Sequence, residues 1–367
     1  MSSLNIGIAG AGLMGRLAAW TLSRQGHRVS VFDPAPGPLP AHDGHGAAGF
    51  SAAGMLSPLA ERESADASLS ALGWQSMARW ADITHDLSQR HARAPHFAQR
   101  GSLLVAHRPD LGAAQRVLAR LSHEDDTAET RPQALDAEQL RALEGSLHSS
   151  AGTLHAWLLP GEGHIDTVRT MQCLYDDALD VQWHWAQPVL RVDPGQLEVA
   201  GYGASVSAQF DLVLDLRGVG AKPDCPVRGV RGELIWLHAP GLGLQRPVRL
   251  LHPRHRVYIV PRPGDVVLVG ASEIESEDRS PMSLRSAVEL MAAAHSVLPA
   301  LAEARILKMD VNLRPALPDH QPQIHHDAGL IRINGLYRHG WLLGPALLDQ
   351  ALTQAGLSPI PPSTIHA

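Results

Sequence analysis

The hydrophobic pattern of the chain is most regular near its start. Ile6 and Ile8 alternate with smaller residues, as in a half-buried strand, and apolar residues then recur at helical spacing as far as Leu22. Gly26 ends this helix, and residues 28–32 form a second strand pattern. The pattern therefore predicts a strand, a helix and a second strand in direct succession, as at the start of a parallel sheet.

The rest of the chain contains further helix and strand patterns. Apolar residues at helical spacing predict helices over 68–87, 111–121, 166–179 and 283–298, and a short helix capped by Asp136. Strands are predicted over 101–106, 181–185, 189–192, 210–215 and 331–333. The last strand leads through a turn into a final helix, with Pro345 in its first turn.

Three stretches in the second half alternate apolar and polar residues, as antiparallel strands do. They cover residues 229–239, 256–260 and 266–270, with Gly264 in the turn between the last two. Because strand 331–333 and the final helix follow them, these antiparallel strands predict a second domain inserted into the first.

The predicted fold class is therefore α/β, with a Rossmann-like βαβ domain interleaved with an antiparallel-sheet (α+β) domain. We assign residues 1–85, 150–222 and 305–367 to the nucleotide-binding domain. Residues 86–149 and 223–304 are assigned to the substrate domain.

The turn between the first strand and helix carries glycines in G-x-G-x-x-G spacing, at Gly10, Gly12 and Gly15. Such glycines allow a tight bend, close approach of the backbone to a pyrophosphate, and close packing of the helix on the strand. The helix N-terminus offers free N–H groups to phosphates. Asp33 ends the second strand, where an acid accepts hydrogen bonds from ribose hydroxyls. The motif predicts a dinucleotide site without distinguishing NAD from FAD.

Composition narrows the class of protein. The chain has 367 residues, 44% hydrophobic and 19% charged, as in a soluble globular protein with a sizeable core. Its net charge of -6 argues against a nucleic-acid partner, because phosphate contacts require a basic surface. No apolar run approaches the length of a membrane span, and no signal-like segment precedes the first strand. We therefore expect no membrane partner and a cytoplasmic location.

The sequence offers no metal or thiol motif. Cys173 and Cys225 are too few and too isolated for a disulfide framework or a structural zinc site. Paired histidines such as His325 and His326 lack the further ligands that a metal site requires. We therefore predict no metal.

Four stretches of the sequence carry a resemblance to a known family. They read GIAGAGLMG, SAAGMLSP, VYIVPRPGDVVLVGASE, and NLRPALPDHQPQI continuing to GLYRHGWLLGPAL. This order resembles the D-amino-acid-oxidase-like family of FAD-dependent amine oxidoreductases. Within that family it is most similar to the glycine oxidases, the branch that serves thiazole formation in thiamine biosynthesis.

The resemblance implies that the dinucleotide is FAD, bound without a covalent link. It implies a substrate pocket in which Arg314 holds the substrate carboxylate, Arg338 is a second arginine, Tyr258 contacts the same carboxylate, and Met55 is an apolar wall beside the flavin. The implied cofactor residues are Gly10, Gly12, Gly15, Asp33, Ala52, Ala53, Gly54, Met55, Val189, Gly218, Gly220, Arg338, His339, Gly340, Trp341, Leu342 and Leu343. An arginine in such a cleft also fits a carboxylate substrate on chemical grounds, because guanidinium binds carboxylate bidentately.

The implied activity is oxidative deamination of glycine, another small amine or a D-amino acid. A hydride passes from the α-carbon to flavin N5, O2 is reduced to H2O2, and the imine is hydrolysed or used for thiazole synthesis. One alternative keeps the fold but passes electrons to an acceptor other than O2, as in a D-amino-acid or imino-acid dehydrogenase. Another is a catalytically silent FAD-binding subunit. The predicted partners are an amino-acid substrate and O2, with a homo-oligomer also considered.

Several positions depart from the family pattern, including the strand exit DLRGVGA, the turn YRHGW with bulky Trp341, and two acidic residues. Asp33 stands where FAD proteins usually have a glutamate, which is longer by one methylene. Glu273 stands where some glycine oxidases have an apolar pocket residue, so it is expected to change substrate preference if it reaches the site. The roles of Glu273 and His339 stay open.

Overall fold

The computed structural model describes residues 3–63, 67–122, 127, 130–147, 154–201, 204–252 and 256–359. In chain order its strands are β1 (Asn5–Ala9), β2 (Arg28–Phe32), β3 (Met55–Leu56), β4 (Phe97–Ala98), β5 (Ser102–His107), β6 (Gln133–Leu135), β7 (Leu154–Leu159), β8 (Gly163–Ile165), β9 (Val181–His184), β10 (Val189–Asp193), β11 (Gln196–Ala200), β12 (Ser205–Gln209), β13 (Leu212–Asp215), β14 (Arg228–His238), β15 (Val248–Leu251), β16 (Arg256–Arg262), β17 (Val266–Gly270), β18 (Arg305–Ala316), β19 (Gln323–Asp327) and β20 (Leu330–Asn334).

The helices are α1 (Leu13–Arg24), α2 (Pro58–Glu61), α3 (Ala67–Arg90), α4 (Leu111–Leu121), α5 (Ala137–Leu143), α6 (Thr167–Asp177), α7 (Leu284–Val297) and α8 (Gly340–Gln354). Asp136 caps α5 with a reciprocal capping box, in which its carboxylate accepts from the Gln139 backbone N–H. Asp166 caps α6 in a similar way, by accepting from the Arg169 backbone N–H. The predicted starts of these two helices are confirmed.

A six-stranded sheet has the order β19-β20-β13-β1-β2-β9. Its five strands from β20 to β9 run parallel, and β19 pairs antiparallel at the edge. Ile6 and Ile8 of β1 are fully buried, and they pack in the same core as residues of α1 and α8. The opening strand, helix and strand of the sequence therefore form the centre of this sheet, as predicted.

An eight-stranded sheet has the order β18-β14-β17-β16-β15-β5-β7-β6. Neighbouring strands in it are antiparallel except for β15 and β5, which run parallel. Two further sheets have three strands each, β10-β11-β12 and β3-β8-β4. Parallel and antiparallel sheets in alternating segments of the chain confirm the predicted mixed α/β fold class.

Strand pairing differs from the predicted domain ranges in two places. The ranges 150–222 and 305–367 were assigned to the nucleotide-binding domain. They contain β7 and β18, and both strands belong to the eight-stranded sheet. No strand was predicted over 154–159 or 305–316, so these segments were not separated from the nucleotide-binding domain.

The final helix also differs from the expectation. Pro345 lies in the second turn of α8, not in its first, and lacks the N–H that would bond the carbonyl of Trp341. The buried Trp80 indole N–H donates to that carbonyl instead, at 2.6 Å. The helix therefore continues past the proline because a side chain of α3 satisfies the acceptor that the proline leaves open.

Candidate active site

The glycine turn after β1 has three different environments for its three glycines. Gly10 has a φ of +100°, and a Cβ there would lie 2.7 Å from the carbonyl oxygen of Leu216. A Cβ on Gly15 would lie 1.8 Å from the carbonyl oxygen of Gly10, so α1 packs on the turn at a distance that only glycine allows. A Cβ on Gly12 would meet only Ala47, at 3.8 Å. Gly12 therefore borders open space, where a ligand can approach the backbone.

Asp33 lies at the carboxyl end of β2 and faces this turn. One carboxylate oxygen accepts a hydrogen bond from the Ala11 backbone N–H at 2.6 Å, and the other accepts from the Ala35 backbone N–H at 2.8 Å. Each oxygen can accept a further hydrogen bond. The aspartate is thus held in a fixed orientation beside Gly10 and Gly12, on the wall of the same cavity.

This cavity, of about 1350 Å³, is lined by residues of both large sheets. The predicted site residues along it are Gly10, Gly12, Asp33, Ala52, Ala53, Gly54, Met55, Val189, Gly218, Gly220, Tyr258, Arg314, Arg338, His339, Gly340, Trp341 and Leu342. Gly15 and Leu343 are not among its lining residues. Gly15 packs α1 on the turn, and fully buried Leu343 lies in the core with α1.

The segment before β3 lies close to strand β16. The carbonyl of Ala53 accepts a hydrogen bond from the buried guanidinium of Arg262. Burial lowers the pKa of Arg262 to about 10, which still leaves it charged at pH 7. Gly54 has a φ of +65°, and a Cβ there would lie 2.3 Å from the Ile165 carbonyl oxygen. Gly54 therefore leaves no room for a side chain, and Met55 follows it at the cavity wall.

Tyr258 and Arg314 reach each other across one face of the eight-stranded sheet. Tyr258 pairs with Gly270 of β17, and a Cβ on Gly270 would touch the Tyr258 ring at 2.9 Å. A Cβ on Gly232 of β14 would lie 2.4 Å from the Arg314 guanidinium carbon. Because β14 and β17 are neighbours between β18 and β16, the two glycines let both side chains lie flat on the sheet and meet.

Backbone carbonyls and the tyrosine hold the Arg314 side chain. Its guanidinium donates to the Ser272 carbonyl at 3.0 Å and, more weakly, to the Arg231 carbonyl at 3.4 Å. Burial raises the pKa of Tyr258, although its hydrogen bond with Arg314 and the charge of that arginine partly oppose the rise. Tyr258 is therefore a neutral hydroxyl at pH 7, beside an arginine that no described carboxylate neutralises.

Arg338 lies at the same cavity in a different electrostatic setting. Its guanidinium donates to the Glu61 carboxylate at 3.0 Å and lies 3.9 Å from that of Glu273. The Glu61 carboxylate also lies 3.5 Å from Nδ1 of His339. Burial opposes ionisation of Glu61, but His339, Arg338 and Arg249 outweigh it and lower its pKa. The second predicted arginine is thus paired with an acid, whereas Arg314 is bound by carbonyls.

His339 is buried at the start of α8. Burial lowers its pKa, and the charge of Glu61 only partly opposes this. Its imidazole is therefore neutral at pH 7. His339 is the N-cap residue of α8, but its imidazole accepts no hydrogen bond from the first backbone N–H groups of that helix.

These features fit FAD. Gly12 leaves room for a pyrophosphate, and α1 begins there without a side-chain cap. The second helix N-terminus, at α8, meets the same cavity and favours negative charge on a bound ring. The cavity volume exceeds the roughly 300–1,000 Å³ of ordinary ligand pockets. It therefore has room for a dinucleotide together with a small substrate.

Several residues at the site were not among those predicted. Gly232 and Gly270 had a usable signal, because an isolated glycine in a strand pattern marks close approach of another group. Glu61 follows the segment SPLA and gave no such signal. Its partners Arg338 and His339 are far away in sequence, so only the folded chain identifies its role.

The described residues offer neither a metal-binding cluster nor a membrane-spanning helix. They contain no group of three or more histidine, cysteine, aspartate or glutamate side chains that could hold a metal ion. None of the helices in the described ranges is both long and apolar enough to span a bilayer.

Comparison with known proteins identifies the family. The family model described as FAD dependent oxidoreductase matches residues 5–349. The putative thiamine biosynthesis oxidoreductase ThiO of Rhizobium etli is 36% identical over 359 residues, which are 96% of this chain and 98% of that protein. Glycine oxidase of Geobacillus kaustophilus is 24% identical over 383 residues, which cover 93% of this chain and 90% of that protein.

Solved structures show the same fold. The crystal structure of glycine oxidase from Geobacillus kaustophilus has a TM-score of 0.79 at 22% identity and covers 97% of this chain and 95% of its own. That of iminodiacetate oxidase from Chelativorans sp. BNC1 has a TM-score of 0.78 at 23% identity and covers 97% of each chain. The predicted enzyme class and FAD cofactor are confirmed by the family match. The chain belongs to the family of FAD dependent oxidoreductases.

Proposed function

We propose that this chain oxidises the amine of a small amino acid, with glycine as the first candidate, and that O2 is the final electron acceptor. The observation that carries the proposal is the meeting of the Arg314 guanidinium and the Tyr258 hydroxyl in the cavity. A fixed cation beside a neutral hydroxyl is a binding site for a carboxylate. Since the same cavity receives the N-terminus of α8, a carboxylate held there lies within the FAD pocket.

Arg314 and Tyr258 bind and orient the substrate. The guanidinium fork holds both carboxylate oxygens, and the Tyr258 hydroxyl donates to one of them. With the carboxylate fixed, the α-carbon has few orientations left, which removes much of the entropic barrier to reaction. FAD, when bound, supplies the acceptor for the α-carbon hydride.

The substrate amine needs no strong base if it is neutral when it reacts. Loss of the α-carbon hydride and one N–H proton converts the amine into an imine, which water hydrolyses. The two electrons reduce O2 to H2O2. Neutral His339 and the pair of Arg338 with Glu61 keep this part of the cavity polar without placing a free cation beside the amine. Half-exposed Glu273 provides a carboxylate that can attract the ammonium form on entry.

The names of the relatives support a small substrate. The Rhizobium etli protein is named for thiamine biosynthesis, and the Geobacillus kaustophilus protein is named glycine oxidase. We propose that this chain likewise acts on glycine and contributes to thiamine biosynthesis. The imine formed from glycine would then serve thiazole synthesis.

The test is anaerobic mixing of the FAD-loaded protein with a panel of small amino acids. We expect the flavin absorbance near its visible maximum to bleach with glycine, N-methylglycine or D-alanine, and to return when O2 is admitted, with stoichiometric H2O2. Bleaching that reverses only with a dye or quinone would replace the oxidase by a dehydrogenase. Absence of bleaching with the whole panel would favour a silent FAD-binding subunit.

A further inference from the structure

Arg249 lies on the same sheet face as the proposed carboxylate site. It belongs to β15 and pairs directly with Tyr258 of β16. Residues paired in register point to the same face of a sheet, and Arg249 lines the cavity together with Tyr258 and Arg314. Its side chain is 15% exposed. The cavity wall therefore continues from Arg314 through Tyr258 to Arg249.

The guanidinium of Arg249 lies near the carboxylates of Glu61 and Glu162, whose pKa values its charge lowers, but its ion pair is long for so buried a cation. Its ion pair within the described residues is with Glu63, at an N···O distance of 3.9 Å. By comparison, Arg338 reaches Glu61 at 3.0 Å, and Arg314 reaches a carbonyl at 3.0 Å. Desolvating a cation is costly unless close acceptors replace water. A closer anion at Arg249 would therefore be stabilised.

The strands separate the backbones of Arg314 and Arg249, and the Arg314 side chain narrows this separation. Four strand spacings lie between β18 and β15, roughly 19 Å between backbones at about 4.8 Å each. Arg314 extends inward over Gly232, which brings its guanidinium one strand closer to Arg249. Tyr258 lies in the interval between the two guanidinium groups. A short chain with an acidic group at each end suits this arrangement.

We propose that Arg249 binds a second acidic group of the substrate, so that the site accepts amino acids carrying another carboxylate on the side chain or on the amine nitrogen. This inference rests on the proposed function and specifies its substrate class. Arg314 and Tyr258 hold the carboxylate next to the reacting α-carbon. Arg249 exchanges its distant contact with Glu63 for a direct pair with the second carboxylate.

The experiment compares two N-substituted glycines that differ in charge. Iminodiacetate carries a second carboxylate, whereas N-ethylglycine has a similar length without it. Anaerobic flavin reduction at increasing concentrations gives an apparent Kd for each compound. We expect at least tenfold tighter binding of iminodiacetate by the unchanged protein. Arg249→Gln should reduce this preference at least tenfold, and Arg249→Lys should retain part of it because it keeps the charge.

Two further variants complete the test. Arg305→Gln removes the same charge from an exposed position of the same sheet, 74% exposed, and should leave the preference unchanged. Glu63→Gln removes the competing carboxylate and should tighten iminodiacetate several-fold. The visible spectrum of bound FAD and the circular dichroism of each variant report whether it is folded.

The outcomes separate this inference from the proposed function. If glycine bleaches the flavin but iminodiacetate binds no better than N-ethylglycine, the role of Arg249 is refuted and the proposed function stands. If a folded Arg249→Gln variant loses affinity for iminodiacetate and N-ethylglycine equally, the role of Arg249 is also refuted. If none of the amino acids bleaches the flavin, the proposed function itself fails.

Discussion

The two ends of the cavity are built in contrasting ways. At the nucleotide end, Gly10, Gly12 and Asp33 come from one continuous strand, helix and strand, and a local turn brings them together. At the substrate end, Arg314 and Tyr258 come from strands that are not neighbours in the sheet. They meet only because β14 and β17 pair between them and carry glycines at the crossing points.

This difference shows where local sequence determines a site and where strand pairing does. The nucleotide end depends on a few backbone distances within a short segment, so a methyl group added at Gly10 or Gly15 acts on the fold itself. The substrate end depends on side chains that lie on a sheet formed by distant segments. Changes there can alter binding while the sheet persists. Four predictions test this contrast, beginning with the largest effect.

Gly15→Ala should prevent stable folding of the nucleotide end. The new Cβ would lie 1.8 Å from the backbone oxygen of Gly10, and backbone cannot move aside as a flexible side chain can. We expect a loss of about 3 kcal/mol or more in the free energy of unfolding, the upper range for overpacking. Denaturant unfolding and FAD content measure this. Gly12→Ala is the control, since its Cβ meets only Ala47 at 3.8 Å.

The Gly12→Ala variant also tests where the pyrophosphate of FAD binds. Gly12→Ala should fold with nearly unchanged stability but bind FAD more weakly, because the methyl group would occupy space reserved for the pyrophosphate. Equal stability losses in both variants would contradict the different roles assigned to the two glycines.

Arg314→Ala should leave FAD bound and weaken amino-acid binding. Loss of a charge-assisted pair to a carboxylate costs roughly 3 kcal/mol, which is more than a hundredfold in apparent Kd. Arg314→Lys should give an intermediate loss, because it retains charge but not the bidentate fork. The measurement is anaerobic flavin reduction by glycine. Unchanged affinity in the alanine variant would place the carboxylate elsewhere in the cavity.

The sequence predicted the nucleotide end better than the substrate end for the same physical reason. The glycine spacing, the helix and Asp33 lie within one short segment, so their geometry follows from local rules. The residues Tyr258 and Arg314 were taken from a resemblance, and the structure places both at the cavity. Local patterns did not contain the contact of Arg314 with Gly232, because that contact depends on the pairing of β14 with β18.

Strand partners and distant ion pairs were the parts that could not be predicted. β18 lies in the range 305–367, which was assigned as a whole to the nucleotide-binding domain, although it pairs in the eight-stranded sheet. The Glu61 pair with Arg338 joins α2 to the loop before α8. The residue spacing within either segment does not indicate that the other is its partner. The proline of α8 was similarly misplaced, because Trp80 that supports it lies on another helix.

Glu162, which links β5 to α2, should make stability depend on pH. This buried carboxyl group accepts from the Ser102 hydroxyl and from the Ala60 backbone N–H at 2.8 Å, and burial raises its pKa from 4.5 to about 7. Since the folded state keeps its proton longer than the unfolded state, stability is greatest below pH 4.5 and falls as pH rises to about 7. The total loss is roughly 3 kcal/mol at most.

Glu162→Gln should remove this loss, since glutamine keeps the shape and does not ionise. The variant should match the unchanged protein at pH 4.5 and be more stable at pH 8, as measured by denaturant unfolding. His164 has its pKa lowered to about 3, mainly by burial, and destabilises the fold as pH falls below 6.5. That contribution is common to both proteins and cancels in the difference. Glu303→Gln, at a side chain that is 88% exposed, is the matched surface control.

Gly232→Ala should weaken substrate binding without removing any polar group of the site. Its Cβ would lie 2.4 Å from the Arg314 guanidinium carbon, which is the far end of a flexible side chain, so the arginine moves and β14 stays paired. We expect about a tenfold rise in apparent Kd for glycine, or about 1.4 kcal/mol, with unchanged FAD content. Gly145→Ala is the matched control, because a Cβ there meets nothing within 4 Å. If both variants bound glycine as tightly as the unchanged protein, Arg314 would not need its position over Gly232, and the substrate end would be less dependent on strand pairing than we infer.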